Sequence, residues 1–415
     1  MEPTTLPVDR CARREPLADA LARLGRLLLG YGCATHRLET ALQWAAAAHR
    51  FHADVFAVPT GLWMSLDDQR APPTIRLVRV QRWGIALDRL ADLDAVFNGL
   101  ADGSLDVAAA HARMDAIEAA PPRFPPWAVV LAGALASGSA ATAFGATPLG
   151  VALATAVGLI SVTLGLQLGR RGRTRLLVDF AAGVVVGLAA WAAAAHDPSL
   201  ARKPLVLGGL IVNVPGLTLT AGLAELAHKN LVSGAARLLD ATMVFLSLLF
   251  GVGAVWALEK AVTGAVPPLA GGAPPALWVS AVASAAAGLA FLPLFAVHRP
   301  DAAPAVLGGL LAWGAAITAE RLGLTGPAAA FVGALICGLY ANLFARWRDR
   351  PAQVVLVPAI VLLVPGALGF ASIDRMLYGD PSAGLVSAMQ TLLIAAALAL
   401  GLVLANAAVP PRKVL

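Results

Sequence analysis

Val214-Pro215-Gly216 sits inside the apolar run 204–223, and Val364-Pro365-Gly366 sits inside the apolar run 353–371, 150 residues further on. A Pro-Gly step removes a backbone donor and inserts the least constrained residue, so it interrupts an apolar helix where it falls. In hydrocarbon, the backbone groups it frees must be satisfied by protein or by a wet cavity. The two steps therefore predict two membrane spans broken near their middles. A pair of simple proline kinks is the plainer alternative.

The same offset relates Gly138 to Gly288, Gly158 to Gly308, Gly183 to Gly333, Gly234 to Gly384 and Gly251 to Gly401. Isolated glycine matches are weak in a chain with 40 glycines, and the repeated triplet carries more weight. Working outward from it, ten stretches are long and apolar enough to span a bilayer: 127–146, 148–168, 176–195, 204–223, 237–258, 276–297, 303–320, 327–345, 353–371 and 383–408. Each is close to the ~20 residues that a hydrocarbon core of about 30 Å requires. Their alanine and glycine, including the pair Gly183/Gly187, suit close helix packing. Five spans per half is an odd number, so the second half must enter the membrane upside down relative to the first. Inverted repeats around broken helices give mirror-related gates around one site.

Composition agrees. Only 13% of the 415 residues are charged, about half the share in soluble proteins. Residues 1–126 hold 14 Arg, no Lys and 15 acids, a soluble balance of −1, and the rest carries 17 cations against 10 acids. With the N-terminus inside and ten spans, twelve Lys and Arg fall on inner loops and five on outer ones. Treating the fourth and ninth runs as re-entrant gives eight against nine and loses the positive-inside bias. The expected architecture is an all-α polytopic membrane protein with ten transmembrane helices in two inverted five-helix repeats, 127–262 and 276–408, and both termini cytoplasmic. A small cytoplasmic α+β domain, residues 1–126, precedes them. Its expected elements are helices 16–30 and 34–50, strands 53–66 and 73–81 turning at Asp67-Asp68-Gln69-Arg70, and helices 86–99 and 104–119, the last capped by Ser104.

Polar chemistry is concentrated in the first half. Asn213, Thr218 and Thr220 flank the first triplet, whereas Leu363, Leu368 and Phe370 stand at the matching places. A half-helix starting near Thr218 would point N–H groups and its positive dipole end at a carboxylate. Candidate substrate-binding residues are therefore Asn213, Pro215, Gly216, Thr218 and Thr220, with Pro365 and Gly366 from the second break. Asp179 and Asp240, just inside spans three and five, are candidates for binding a substrate ammonium or exchanging a proton. Arg175 and Arg237 precede them by four and three residues, so surface ion pairs are the alternative. Glu225 and Arg237 are candidates for a gate or regulatory role, and a solvated loop acid is the alternative for Glu225.

Several classes are disfavoured. Cys11, Cys33 and Cys337 lack metal or disulfide spacing, and His49 and His52 lack a zinc-protease arrangement, so no metal or cofactor is expected. There is no P-loop for ATP-driven transport, and the basic balance reflects membrane topology rather than nucleic acid. A membrane-anchored enzyme with residues 1–126 catalytic would need one or two spans, not ten.

The run Gly30-Tyr31-Gly32-Cys33-Ala34-Thr35-His36-Arg37-Leu38-Glu39 with Pro59-Thr60 resembles the opening of the threonine/serine exporter family. So do Val214-Pro215-Gly216 with Leu219-Thr220, Glu225-Leu226 and 231–238, and Val357-Pro358 with 363–366. The resemblance implies a secondary exporter of L-threonine and L-serine, driven by the proton-motive force with protons as coupling ion, in a prokaryotic plasma membrane. It also implies that split relatives export dicarboxylates, which makes a succinate-like substrate the second expectation. The family usually carries Asp where this chain has Glu225. An acid is needed for an amino acid's ammonium but not for a dicarboxylate, so Asp179→Asn would separate the two substrates. A homo-oligomer is compatible with the sequence.

Overall fold

The structure, a computed structural model, describes residues 8–68, 72–81, 84–170, 175–197, 200–264, 271–378 and 380–410. Gln69 and Arg70 of the expected turn, and Arg171, Arg173, Arg412 and Lys413 of the topology count, lie outside them.

Helices α1 (Val8–Gly30) and α2 (Thr35–Ala48) are followed by strands β1 (His52–Val58), β2 (Gly61–Asp67) and β3 (Thr74–Arg79), then α3 (Leu87–Ala101) and α4 (Val107–Ala119). The strands form one antiparallel sheet in chain order. Ala53, Leu62, Met64 and Leu66 turn inward onto α1 and α2, while Phe56 and Trp63 pair on the outer face. Two expectations need correcting. The stretch 53–66 is two strands, because Pro59-Thr60 makes a two-residue turn that pairs Val58 with Gly61. Alternation continues through that turn and conceals it. The cap of α4 is Asp106, whose carboxylate accepts from the Ala109 N–H at 2.6 Å, and the Ser104 N–H instead donates to Asp102.

Eight further helices are long and apolar enough to cross a membrane: α5 (Pro126–Ala143), α6 (Pro148–Arg170), α7 (Arg175–His196), α10 (Leu231–Thr263), α11 (Leu277–Leu294), α12 (Arg299–Arg321), α13 (Gly326–Arg348) and α16 (Pro381–Ala408). The two runs carrying Val-Pro-Gly are each interrupted. The first is split into α8 (Arg202–Leu210) and α9 (Gly216–Ala227), and the second into α14 (Gln353–Ile360) and α15 (Gly366–Tyr378). Shifting α5–α10 by 150 residues gives the starts of α11–α16 to within one residue.

Packing repeats with the same offset. Gly183 and Gly251 bring α7 and α10 into backbone contact, and Gly401 meets Phe331 and Ala334 where α16 crosses α13. Gly234 packs on Leu226, and Gly384 packs on Met376, 150 residues away from each. At the centre the two breaks touch each other. A Cβ on Gly216 would lie 3.1 Å from the Gly366 Cα, and one on Gly366 would lie 3.2 Å from the Gly216 Cα. Val364 covers Gly216 as Val214 covers Gly366. Contact of residue i with j, mirrored by j with i, is the pattern a two-fold relation imposes.

Candidate binding cavity

The chain between α8 and α9 turns through Asn213 and Val214, whose N–H groups both donate to the Leu210 carbonyl. Pro215 supplies no donor, and α9 starts at Gly216. Below this break lies a cavity of about 620 Å³. The two breaks form one end of it, and its side walls come from the last turns of α11 and α16 and from α14. Leu29, Gly32, Ala34, His36, Arg37, Pro59, Gly84 and Ile85, all from the α1–α4 region, complete it at the other end.

Of the residues expected from sequence, Asn213, Pro215, Gly216, Thr218, Thr220 and Gly366 line this cavity, as do Glu225 and Arg237. Pro365 is not among the lining residues. Neither are Asp179, which is buried in α7, and Asp240, which is half-buried in α10. The side chain of Arg175, the alternative partner for Asp179, lies outside the described residues. His36, Arg37, His228, Gln353 and Asn406 line the cavity without having been singled out. His36 and Arg37 were legible only as part of a conspicuous run, and Gln353 and Asn406 only as polar residues at the ends of apolar stretches.

Glu225 is 1% exposed. Its Oε1 accepts from the Thr35 N–H at 3.3 Å and from Arg237 Nε at 3.1 Å, so the α9 acid ties both α2 and α10 to one point. The solvated-loop alternative for Glu225 is thereby corrected: the turn after α9 is covered by α2. Asn230 extends the junction to the Thr35 hydroxyl and to Glu39, and Ser233 Oγ donates to the Ala57 carbonyl at 3.0 Å. On the other side, the N–H groups of Leu87 and Asp88 donate to the carbonyls of Phe295 and Ala296 between α11 and α12. The α1–α4 region is thus fastened to both halves of the helical bundle.

His36 stacks on His228 with ring centroids 4.1 Å apart and planes 8° from parallel. His228 Nδ1 donates to the Ala224 carbonyl at 2.8 Å, which fixes that ring's tautomer. Burial pushes the His36 imidazole down to about 3, helped by His228, Arg37 and Arg237. Its ring is therefore neutral at physiological pH.

Three polar atoms on the cavity residues are buried without a hydrogen-bond partner among the described residues: Asn213 Oδ1, Glu225 Oε2 and His36 Nδ1. Leaving such a group unpaired costs roughly 1–3 kcal/mol, which a ligand with the right donors would relieve. Glu225 stands nine positions after Gly216 in α9, about 14 Å along the axis. Cavity-lining residues thus carry unpaired acceptors at two stations, one at the breaks and one beneath the α1–α4 region. Thr220 Oγ1 returns to the Gly216 carbonyl at 3.1 Å, closing the first turn of α9 against the upper station.

A family model described as "Putative threonine/serine exporter" matches residues 19–259, and one described as "Threonine/Serine exporter, ThrE" matches residues 280–408. The gap between them falls at the link from α10 to α11. A "Probable threonine/serine exporter" of Mycobacterium tuberculosis is 26% identical over 414 residues, covering 95% of this chain and 77% of its own. The "Pheromone-regulated membrane protein 10" of Candida albicans is 26% identical over 388 residues, 88% of this chain and 34% of its own. The protein of that name in Saccharomyces cerevisiae is 26% identical over 390 residues, 90% and 49%. The chain thus spans about a third to a half of these fungal relatives. No solved structure matches the chain significantly.

Proposed function

The chain belongs to the threonine/serine exporter family, and from that premise we propose that it is a secondary exporter of small amino acids, L-threonine and L-serine, working by alternating access with protons as counter-ion. The observation that carries the reading is the single cavity that starts at two touching helix breaks and ends under the α1–α4 region, with unpaired acceptors at both stations. A substrate with an ammonium and a hydroxyl supplies the donors those acceptors lack.

In this reading the chain crosses a prokaryotic plasma membrane ten times, the broken helices included. Residues 127–262 and 276–408 are two inverted halves, and residues 1–126 form a cytoplasmic domain. The cavity is then the inward-facing route. Asn213, Thr218 and Thr220 hold the substrate at the mid-membrane station, with the first turn of α9 toward its carboxylate. Glu225, held by Arg237, takes the ammonium at the inner station and exchanges a proton there. This gives Glu225 the part that position in the sequence suggested for Asp179 and Asp240. The family is one of transporters, which points away from catalysis by residues 1–126.

One observation favours a dicarboxylate as second substrate class. Arg37 and Arg237 stand at the inner station, with Glu225 the acid among the lining residues there. Purified protein in liposomes, oriented with its cytoplasmic face outward and with an acid lumen, tests both readings against labelled L-threonine, L-serine and succinate. Proton-dependent accumulation of the amino acids is expected. Accumulation of succinate alone would establish the second reading, and no gradient-dependent flux of any of the three would defeat both.

A further inference from the structure

The 150-residue relation assigns each cavity residue of α5–α16 a counterpart in the other half. Ala399, Leu402 and Asn406 on α16 correspond to Leu249, Val252 and Trp256 on α10. Val357 and Ile360 on α14 correspond to Leu207 and Leu210 on α8, and Thr220 on α9 corresponds to Phe370 on α15. None of these six counterparts lines the cavity. All six are buried in one apolar cluster that includes residues of α8, α10 and α15. One set of positions is open and its mirror set is packed shut.

On the same helices as the sealed set stand charged counterparts of uncharged cavity residues. Gln353 corresponds to Lys203 and Ala224 to Asp374. Asp374 is 7% exposed, and its Oδ1 has no hydrogen-bond partner among the described residues. Lys203 and Arg375 act on it electrostatically, and Arg375 in turn donates to Ser387 at 2.8 Å. Arg375 and Ser387 are themselves the counterparts of Glu225 and Arg237, which are bonded to each other. This charged set thus repeats the side-chain link of the inner station with different chemistry.

We infer that the sealed cluster is a second, outward-facing half of the substrate route, in which Lys203 takes the carboxylate and Asp374 the ammonium of an α-amino acid as it leaves. This rests on the transport reading above. Two-fold related halves have two equivalent arrangements, and exchanging them closes the present cavity and opens the cluster around Val252. The apolar seal suits a gate, since packed aliphatic and aromatic side chains keep water out. The charged pair then meets the zwitterion only after the seal parts.

The test uses the full-length chain with Cys11, Cys33 and Cys337 replaced by alanine and a single new cysteine at Val252, at Leu249 or at Leu402. A charged, membrane-impermeant methanethiosulfonate is applied from one face at a time, with and without L-threonine on the opposite face. Leu402→Cys should react only from the cytoplasmic face, and Val252→Cys and Leu249→Cys only from the other. L-Threonine should move the two rates in opposite directions. Asp374→Asn should raise the KM for L-threonine presented at the outer face by about tenfold and leave the inner-face KM within about twofold. Inert cysteines at both Val252 and Leu249, or labelling of either from the cytoplasmic face, would overturn the inference even if flux persists. Reciprocal labelling without flux of threonine or serine would uphold the route and overturn the substrate assignment instead.

Discussion

Glu225 is the side chain on which most of the site's electrostatics converge. Removing a buried partner strands the other charge, so Glu225→Ala should cost roughly 3–5 kcal/mol of stability as Arg237 loses its acid. Glu225→Gln keeps an acceptor for Thr35 and Arg237 while removing the charge. The variant should fold, lose at least about tenfold in L-threonine flux, and spare any succinate flux. Unchanged threonine flux in that variant would remove Glu225 from the ammonium role. His36 gives a second test. A histidine held down to about 3 binds fewer protons when folded than the ~6.5 of a free imidazole would bind. Its contribution is complete above pH 6.5 and is lost as pH falls toward 3, by at most about 2 kcal/mol at pH 5. The melting temperature of detergent-purified protein should therefore drop below pH 6.5, and His36→Phe, which keeps a flat ring on His228, should flatten that slope. Of the site, the polar cluster around the first Pro-Gly step was legible in sequence because it broke an apolar run. The inner station was not, because Thr35 and Glu225 lie 190 positions apart and hydropathy reports nothing of such pairings.

The interrupted helices were the most legible part of the fold, since a Pro-Gly step in an apolar run has few physical outcomes. Elements of the α1–α4 region were less so. A two-residue turn hides inside an alternating strand, and Asp106 and Ser104 are equally good caps until the helix start is known. The touching breaks make a sharp prediction of their own. Gly216→Ala would push a methyl group into Val364 and the Gly366 backbone, and Gly366→Ala would push one into Val214 and the Gly216 backbone. Each should destabilise by roughly 1–3 kcal/mol and abolish transport. Adding Val364→Ala should restore part of the loss in the first, and Val214→Ala in the second, as a double-mutant cycle would measure. Equal recovery from a truncation within α14 or α8 would contradict this account of the contact.

Across the molecule, the α1–α4 region fastens the α9–α10 turn of one half to the α11–α12 turn of the other, directly over the mouth of the cavity. A body so placed is expected to restrain movement between the halves and to screen the cavity. Deleting residues 1–119 should leave measurable flux but make Leu402→Cys react several-fold faster from the cytoplasmic face. An unaltered labelling rate would mean that this region does not screen the cavity. All of these expectations depend on two halves that lie upside down with respect to each other. Single cysteines at Lys229, in the α9–α10 turn, and at Ser382, at the start of α16, probe that relation with an impermeant thiol reagent on intact cells and on inverted vesicles. Both positions are exposed. The inverted arrangement predicts that Lys229→Cys reacts only in inverted vesicles and Ser382→Cys only on intact cells. Labelling of both from the same face would contradict it.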